Sequence, residues 1–294
     1  MAVSPHSRET SPVPDGEFAF SWSDFRQIAA VVHAEAGIVL SDSKVNLVYS
    51  RLAKRLRLIG LRSFRDYCTL IERSDGADER QAMIAAMTTN VTRFFREPHH
   101  FDYLKRMVLP SLIQSARNGR RLRIWSAGCS SGEEPYSIAI TLLEEMPDAG
   151  EHDVLVLASD IDPNMLERGQ RGTYGAHQVD TVPVALRGKW FKAEKTGSDV
   201  NYAVDRRVHD LVRFKELNLL GNWPMKGRFD LIFCRNVMIY FDEPTQNDIW
   251  RRFADSLHPH GHLFIGHSER ISTDKQPFEL VAQTTYRLNR GSAV

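Results

Sequence analysis

The chain has 294 residues, 42% of them hydrophobic and 26% charged, the make-up of a water-soluble protein of one large or two ordinary domains. Its formal net charge of +1 excludes any argument from bulk charge about nucleic acid or membrane surfaces, so charge has to be read locally. No apolar run approaches the roughly 20 residues of a membrane span, no signal-peptide core is visible, and Cys68, Cys129 and Cys234 lack metal-ligand spacing. A monomeric cytoplasmic protein with free thiols and no metal is expected.

Met1 to Glu17 is rich in Ser, Pro and small polar residues without periodicity, which predicts a disordered tail over 1–18. From Ser23, a candidate cap, Phe25, Ile28, Ala29 and Val32 share one helical face that Gly37 can close. A second helix follows from about Ser43, with Val45, Val48, Leu52, Leu56 and Ile59 at spacings of three and four. Between Lys44 and Arg65 stand Lys44, Arg51, Lys54, Arg55, Arg57, Arg62 and Arg65 and no acid. That run is either a solvated face or a docking surface for an acidic partner, nucleic acid or protein. Two further helices, Ser63 to Ile71 and Asp78 to Met87, complete an all-helical domain over 19–90.

Thr88 to Phe101 holds too many Thr and Asn for a helix interior and too many aromatics for an idle linker; Pro98 then opens a helix through Leu109. Its Arg and Phe residues serve either plain packing or a pocket between domains. The centre of the chain runs from Arg121 to Ile138: an alternating strand to Trp125, a turn of small residues from Ser126 to Gly132, then an apolar run at helical spacing after Pro135. Such a turn brings bare backbone and a helix start to a ligand, or else is only a tight connection. The dinucleotide fingerprint is absent, and Glu133 and Glu134 stand where a phosphate would have to go. A phosphate-free, cationic, adenosine-like ligand is implied, which describes S-adenosylmethionine better than NAD.

Asp153 to Ser159 reads as a buried parallel strand ending in Asp160-Ile-Asp162. Asp162 is the expected cap of a helix over Pro163 to Gln170, which leaves Asp160 as the candidate for ribose hydroxyls. Lys189-Trp-Phe-Lys, Asn201-Tyr-Ala-Val and Leu211-Val-Arg-Phe suggest a small antiparallel insertion, about 186–214. Phe229 to Cys234 is a further buried strand, with Arg235, Asn236 and Tyr240 past its carboxyl end. A helix from Pro244 to Leu257 and two late strands, from His262 and from Phe278 to Leu288, close a domain over 91–294.

Taken together, Thr89-Asn-Val-Thr-Arg-Phe-Phe-Arg-Glu, Trp125-Ser-Ala-Gly-Cys-Ser-Ser-Gly-Glu-Glu-Pro-Tyr-Ser, Ala158-Ser-Asp-Ile-Asp, Phe233-Cys-Arg-Asn-Val-Met-Ile-Tyr-Phe and Gly266-His-Ser-Glu closely resemble the CheR family of chemotaxis receptor methyltransferases, over roughly residues 20 to 288. The resemblance implies an α/β, class I S-adenosylmethionine-dependent methyltransferase fold: Rossmann-like, doubly wound and mostly parallel, with an N-terminal all-helical domain and a small antiparallel β-subdomain insertion. It implies methyl transfer from S-adenosylmethionine to glutamate side chains on the cytoplasmic helices of chemoreceptors, with S-adenosylhomocysteine as product. By motif position the cofactor contacts would be Asn90, Thr92, Arg96, Glu134, Asp160, Asn218, Leu219, Arg235 and Asn236, with Arg96 and Tyr240 handling the reacting groups. Cys129 is a small-residue variation in the turn that is not expected to matter.

In methyl transfer to a carboxylate an anion meets a sulfonium and both charges vanish, so a dry site and good positioning suffice. No base is needed, since glutamate is already ionised near pH 7. Under the resemblance, Lys44, Arg51, Lys54 and Arg55 would steer acidic receptor helices, and the insertion resembles the β-subdomain with which some members of the family take a receptor C-terminal peptide by strand addition. Nucleic acid is not expected as a partner, because no aromatic platform interleaves the basic run. The alternatives are a methyltransferase acting on another protein or on nucleic acid, and a non-catalytic S-adenosylmethionine-binding regulator.

Overall fold

The structure, a computed structural model, describes residues 12–13, 16–196 and 199–289; most of the expected tail lies outside them. The chain divides into two compact units, one running to Thr89 with Tyr240–Asp242 added, the other holding Asn90–Ile239 and the chain from Glu243 onward.

The first unit is all-helical. Helix α1 (Trp22–Ala36) is capped by Ser21, two residues before the expected cap. The Ser21 hydroxyl accepts the Asp24 N–H at 3.1 Å and the Asp24 carboxylate accepts the Ser21 N–H at 2.9 Å, a reciprocal box of the kind that stabilises a helix start by about 1 kcal/mol. A 3₁₀ turn, Asp42–Lys44, leads into α2 (Val45–Ile59), followed by α3 (Phe64–Glu72), capped by Ser63, and α4 (Ala77–Met87). Val45, Val48, Leu52 and Leu56 are buried as the periodicity predicts. They leave the charged side of α2 outward because the apolar stripe is only one face wide. Phe20, Tyr49 and Phe64 pack ring against ring beside it.

The second unit begins with α5 (Pro98–Tyr103), which passes through a π-helical turn, Leu104–Val108, into α6 (Leu109–Arg117). Strand β1 (Leu122–Ala127), α7 (Glu133–Glu145), β2 (Val154–Asp160) and α8 (Pro163–Arg171) form a β-α-β-α series. Strand β3 (Thr173–Gly175), helices α9 (Ala176–Val179) and α10 (Val184–Trp190), strands β4 (Phe191–Thr196) and β5 (Asp199–Val204), and α11 (Arg206–Asp210) come next. Then follow β6 (Val212–Glu216), β7 (Phe229–Cys234), α12 (Glu243–Ser256), β8 (Leu257–Ile265), β9 (Phe278–Ala282) and β10 (Thr285–Leu288).

A seven-stranded sheet has the order β6-β2-β1-β7-β8-β10-β9. Its first five strands pair in parallel, and β10 runs antiparallel to β8 and β9. The chain leaves β1 toward β2 on one side and returns to β7 on the other, so the carboxyl ends of β1, β2 and β7 surround a topological switch point, where open α/β sheets bind ligands. Helices cover the sheet, as crossovers between parallel strands require. Trp125, ringed by Trp223, Phe229 and Phe253 at 4.9 to 5.2 Å, fills one side of β1.

Two strand assignments also differ from the expectation. The small antiparallel sheet has the order β3-β5-β4, with Thr173–Gly175 as its third strand, whereas the predicted third strand at Leu211–Phe214 pairs in parallel with β2 as the sheet's edge. The late segment from Phe278 to Leu288 is itself a hairpin of two strands, reversing at Thr284 with a φ of 49°.

Candidate functional site

The turn after β1 sets the first part of the site. Gly128 adopts a φ of 76°, and a Cβ there would collide with the Val237 side chain, so a glycine is needed both for the backbone and for the approach of the β7 turn. The N–H groups of Gly128 and Cys129 donate to the Ser159 carbonyl at 2.8 and 2.9 Å, and that of Ser130 to Asp160 Oδ2 at 2.7 Å. Asp160 Oδ1 accepts the Asp162 N–H at 2.9 Å. Backbone donors thus reach both carboxylate oxygens of Asp160, which together can still accept further hydrogen bonds. Burial raises the Asp160 carboxyl above the usual range, opposed by those same N–H groups. Asp162 caps α8 through the Asn164 N–H, as expected, and its other oxygen accepts Asn90 Nδ2 at 3.0 Å.

Glu134, in the first turn of α7, accepts the Ser126 hydroxyl at 2.6 Å and Arg235 Nη1 at 3.2 Å. Burial pushes its carboxyl up even with the Arg235 guanidinium beside it. The Arg235 side chain is 2% exposed. Besides Glu134 it donates to the Arg96 carbonyl, lies 3.6 Å from Glu97 Oε2, and stands over the Phe101 ring. The segment feeding it is bent: Phe95 and Glu97 have φ of 52° and 56°, a left-handed conformation that costs non-glycine residues about 1–2 kcal/mol each. The Phe95 N–H bond to Ser137 Oγ at 2.9 Å and the Glu97 contacts help to hold it.

His100 Nε2 lies 2.8 Å from Thr284 Oγ1. Burial, then the Arg235 charge, lowers the imidazole to about 2, so its 3.6 Å approach to Glu97 joins a neutral ring to a carboxylate and is not an ion pair. Glu97, His99 and His100 offer ligand atoms within 4.8 Å of one another. The positive charge that an ion would bring there is already supplied by Arg235.

Past β7, Asn236 takes a φ of 60°, and its Oδ1 is buried without a hydrogen-bond partner. Asn218 makes a turn of its own, Oδ1 accepting the Leu220 N–H at 2.9 Å, and the carbonyl of buried Leu219 accepts Trp223 Nε1 and Arg252 Nη1. Arg96 Nη1 donates to the Val91 carbonyl at 2.9 Å; Thr92 is half-buried in the same segment. All nine predicted cofactor residues thus fall in the second unit, and hydrogen bonds link Asn90 with Asp162 and Asp160, and Arg96 with Arg235 and Glu134.

Residues 23–88 match the family described as CheR methyltransferase, all-alpha domain, and residues 90–287 match CheR methyltransferase, SAM binding domain. The chain belongs to the CheR methyltransferase family. It is 50% identical to a probable chemotaxis protein methyltransferase of Rhizobium etli over 87% of this chain and 96% of the relative. It is 43% identical to chemotaxis protein methyltransferase 2 of Pseudomonas aeruginosa, over 92% and 94%, and 41% identical to the chemotaxis protein methyltransferase of Salmonella typhimurium, over 97% and 100%.

The site's chemistry fits the S-adenosylmethionine that this CheR domain binds. The buried carboxylate of Asp160, the nearly buried one of Glu134 and an orphaned amide oxygen on Asn236 make an acceptor-rich surface suited to a cation bearing hydroxyl and ammonium donors, and unsuited to phosphates.

The remaining predicted residues lie in the CheR helical unit. The Tyr240 hydroxyl donates to the Thr89 carbonyl at 3.2 Å, and the Tyr240 carbonyl accepts the Val39 N–H. Arg51 donates to the carbonyls of Ala86, Met87 and Thr88, closing the end of α4. Arg55 pairs with Glu79, which also accepts the buried Tyr67 hydroxyl. Lys44 and Lys54 are exposed. Sequence reasoning named neither Glu97 nor Glu269, although both stand inside motifs quoted above.

Proposed function

We propose that the chain transfers the methyl group of S-adenosylmethionine to glutamate carboxylates of chemoreceptors, forming methyl esters. The observation that carries this reading is the acceptor-rich cradle at the switch point, built from Asp160, Glu134 and Asn236, combined with the absence among its side chains of any base–nucleophile pair. When bound, the cofactor supplies an electrophilic methyl on a cationic sulfur. Asp160 binds hydroxyl groups with its spare lone pairs, and Glu134 attracts the cationic amino end. Arg96 holds the carboxylate of the cofactor, because a tight ion pair with the attacking carboxylate would blunt it. Tyr240 trades its bond to Thr89 for one acceptor oxygen, leaving the other to attack.

Docking is assigned to the basic side of α2, with Lys44 and Lys54 presenting free-standing charge to solvent and Arg51 and Arg55 shaping the surface they also brace. A receptor C-terminal peptide would add as an extended strand to β4, which ends the three-stranded sheet and exposes Lys192, Glu194 and Lys195. The test is incubation with labelled S-adenosylmethionine and receptor-bearing membranes. Label that alkali releases as methanol supports a glutamate ester; label stable to alkali refutes it.

A further inference from the structure

Glu269 follows β8 and is 4% exposed. Its carboxylate is clasped by backbone: Oε2 accepts the N–H groups of Asn236, at 3.0 Å, and Gly266, while Oε1 accepts those of Val237 and Met238 at 2.9 and 2.8 Å. Three successive amides of the turn after β7 thus point at one anion, a backbone nest. Burial alone raises the Glu269 carboxyl and these four donors oppose the rise. A buried carboxylate costs several kcal/mol unless its lone pairs are satisfied, and here main-chain donors satisfy them.

The turn so held carries Arg235 and Asn236. Asn236 has a left-handed φ of 60°, unfavourable for a non-glycine residue and stabilised by the bond from its own N–H to Glu269. Gly266 closes the other side: a Cβ there would stand 2.8 Å from the Asn236 nitrogen and 2.5 Å from Nδ2. Glu269 and Gly266 together leave Asn236 one position, with Oδ1 buried and unpartnered.

We propose that Glu269 is the positioning residue of the cofactor site, fixing the Arg235–Met238 turn so that Asn236 and Arg235 meet the cofactor in one arrangement. This rests on the reading of Asn236 and Arg235 as cofactor contacts. Glu269 itself touches neither cofactor nor acceptor in this scheme.

Glu269→Gln keeps size and shape but sets an NH₂ against one pair of amide donors. It should weaken S-adenosylhomocysteine binding, read by calorimetry, by about tenfold or more, as loss of a residue that orients ligand contacts commonly does. The KM for S-adenosylmethionine should rise in step while the KM for receptor stays put, and amides 236–238 should exchange hydrogen faster. Gly266→Ala leaves the carboxylate intact and presses on Asn236; it should give the same KM split, and it decides the case if the glutamine variant does not fold. Unchanged affinity for S-adenosylhomocysteine in a folded variant, or equal rises in both KM values, overturns the positioning role. No binding by the unaltered protein removes the underlying reading, and the proposal with it.

Discussion

The two units use arginine in contrasting ways. In the helical unit Arg55 meets Glu79 with side chains 24% and 10% exposed, and Arg51 spends its donors on the carbonyls at the end of α4. Both arginines are only partly buried. In the α/β unit the Arg235 side chain is 2% exposed and stands beside Glu134 and Glu97, at 12% and 10%. Attraction is stronger in such a dry place, but so is the cost of a charge left alone. A contact of the same chemical type is therefore an adjustable brace in one region and an indispensable member of a network in the other.

Breaking the buried network should have the largest effect. Arg235→Met leaves the nearly buried carboxylates of Glu134 and Glu97 without their cation and should cost about 3–5 kcal/mol in urea unfolding, with loss of cofactor binding. A cost under about 1 kcal/mol would mean that the network does not hold the site.

His100 sharpens the same side of the comparison through pH. Its folded-state value is about 2, against about 6.5 for the free side chain, so between those values the unfolded chain binds the extra proton. Its contribution to stability is whole above about pH 6.5 and is lost as pH falls toward 2, at up to about 1.4 kcal/mol per pH unit. The carboxyls of Glu134, Asp160 and Glu269 are raised by desolvation and act oppositely, favouring the folded state in acid and costing stability as pH climbs through their values. Comparison of the unaltered chain with His100→Asn over pH 4 to 7 isolates the imidazole: the variant should lose stability less steeply on acidification, and parallel curves would show that His100 is not buried neutral.

On the helical side, Glu79→Ala removes the acceptor of the buried Tyr67 hydroxyl along with the Arg55 partner and should cost about 1–3 kcal/mol. A loss as large as that from Arg235→Met would erase the contrast. The smallest effect on folding is expected at exposed charge. The pair Lys44→Glu and Lys54→Glu should leave stability within about 0.5 kcal/mol yet slow receptor methylation several-fold at low salt, with the difference fading as salt rises. Unchanged rates at low salt would remove α2 as the docking face. Reversal of Arg51 or Arg55 would confuse docking with the bracing of α4.

Much of this was legible in the sequence because its signals are local. The stripe of Val45, Val48, Leu52 and Leu56, the Asp162 cap and the small-residue turn from Ser126 to Gly132 depend on neighbours a few positions away. The start of α1 is ambiguous in the sequence because Ser21 and Ser23 are equally good caps by type, and only the side chain of Asp24 decides between them. The sheet to which Leu211–Phe214 belongs is not legible, because alternation marks a strand but not its partner, which is β2. The engagement of Arg51 with carbonyls at 86–88 was hidden for the same reason. Glu269 gave no signal beyond its motif, since its partners are peptide N–H groups that every residue but proline possesses.

Cofactor binding should depend on the acceptors Asp160, at the end of β2, and Glu134, in the first turn of α7. Calorimetric titration of S-adenosylhomocysteine into the unaltered chain and into Asp160→Asn measures it most directly. Saturable binding at one site per chain is expected, with a loss of about tenfold or more in the variant, roughly 1.4 kcal/mol. Equal affinities in the two proteins, or no heat from the unaltered one, would contradict it.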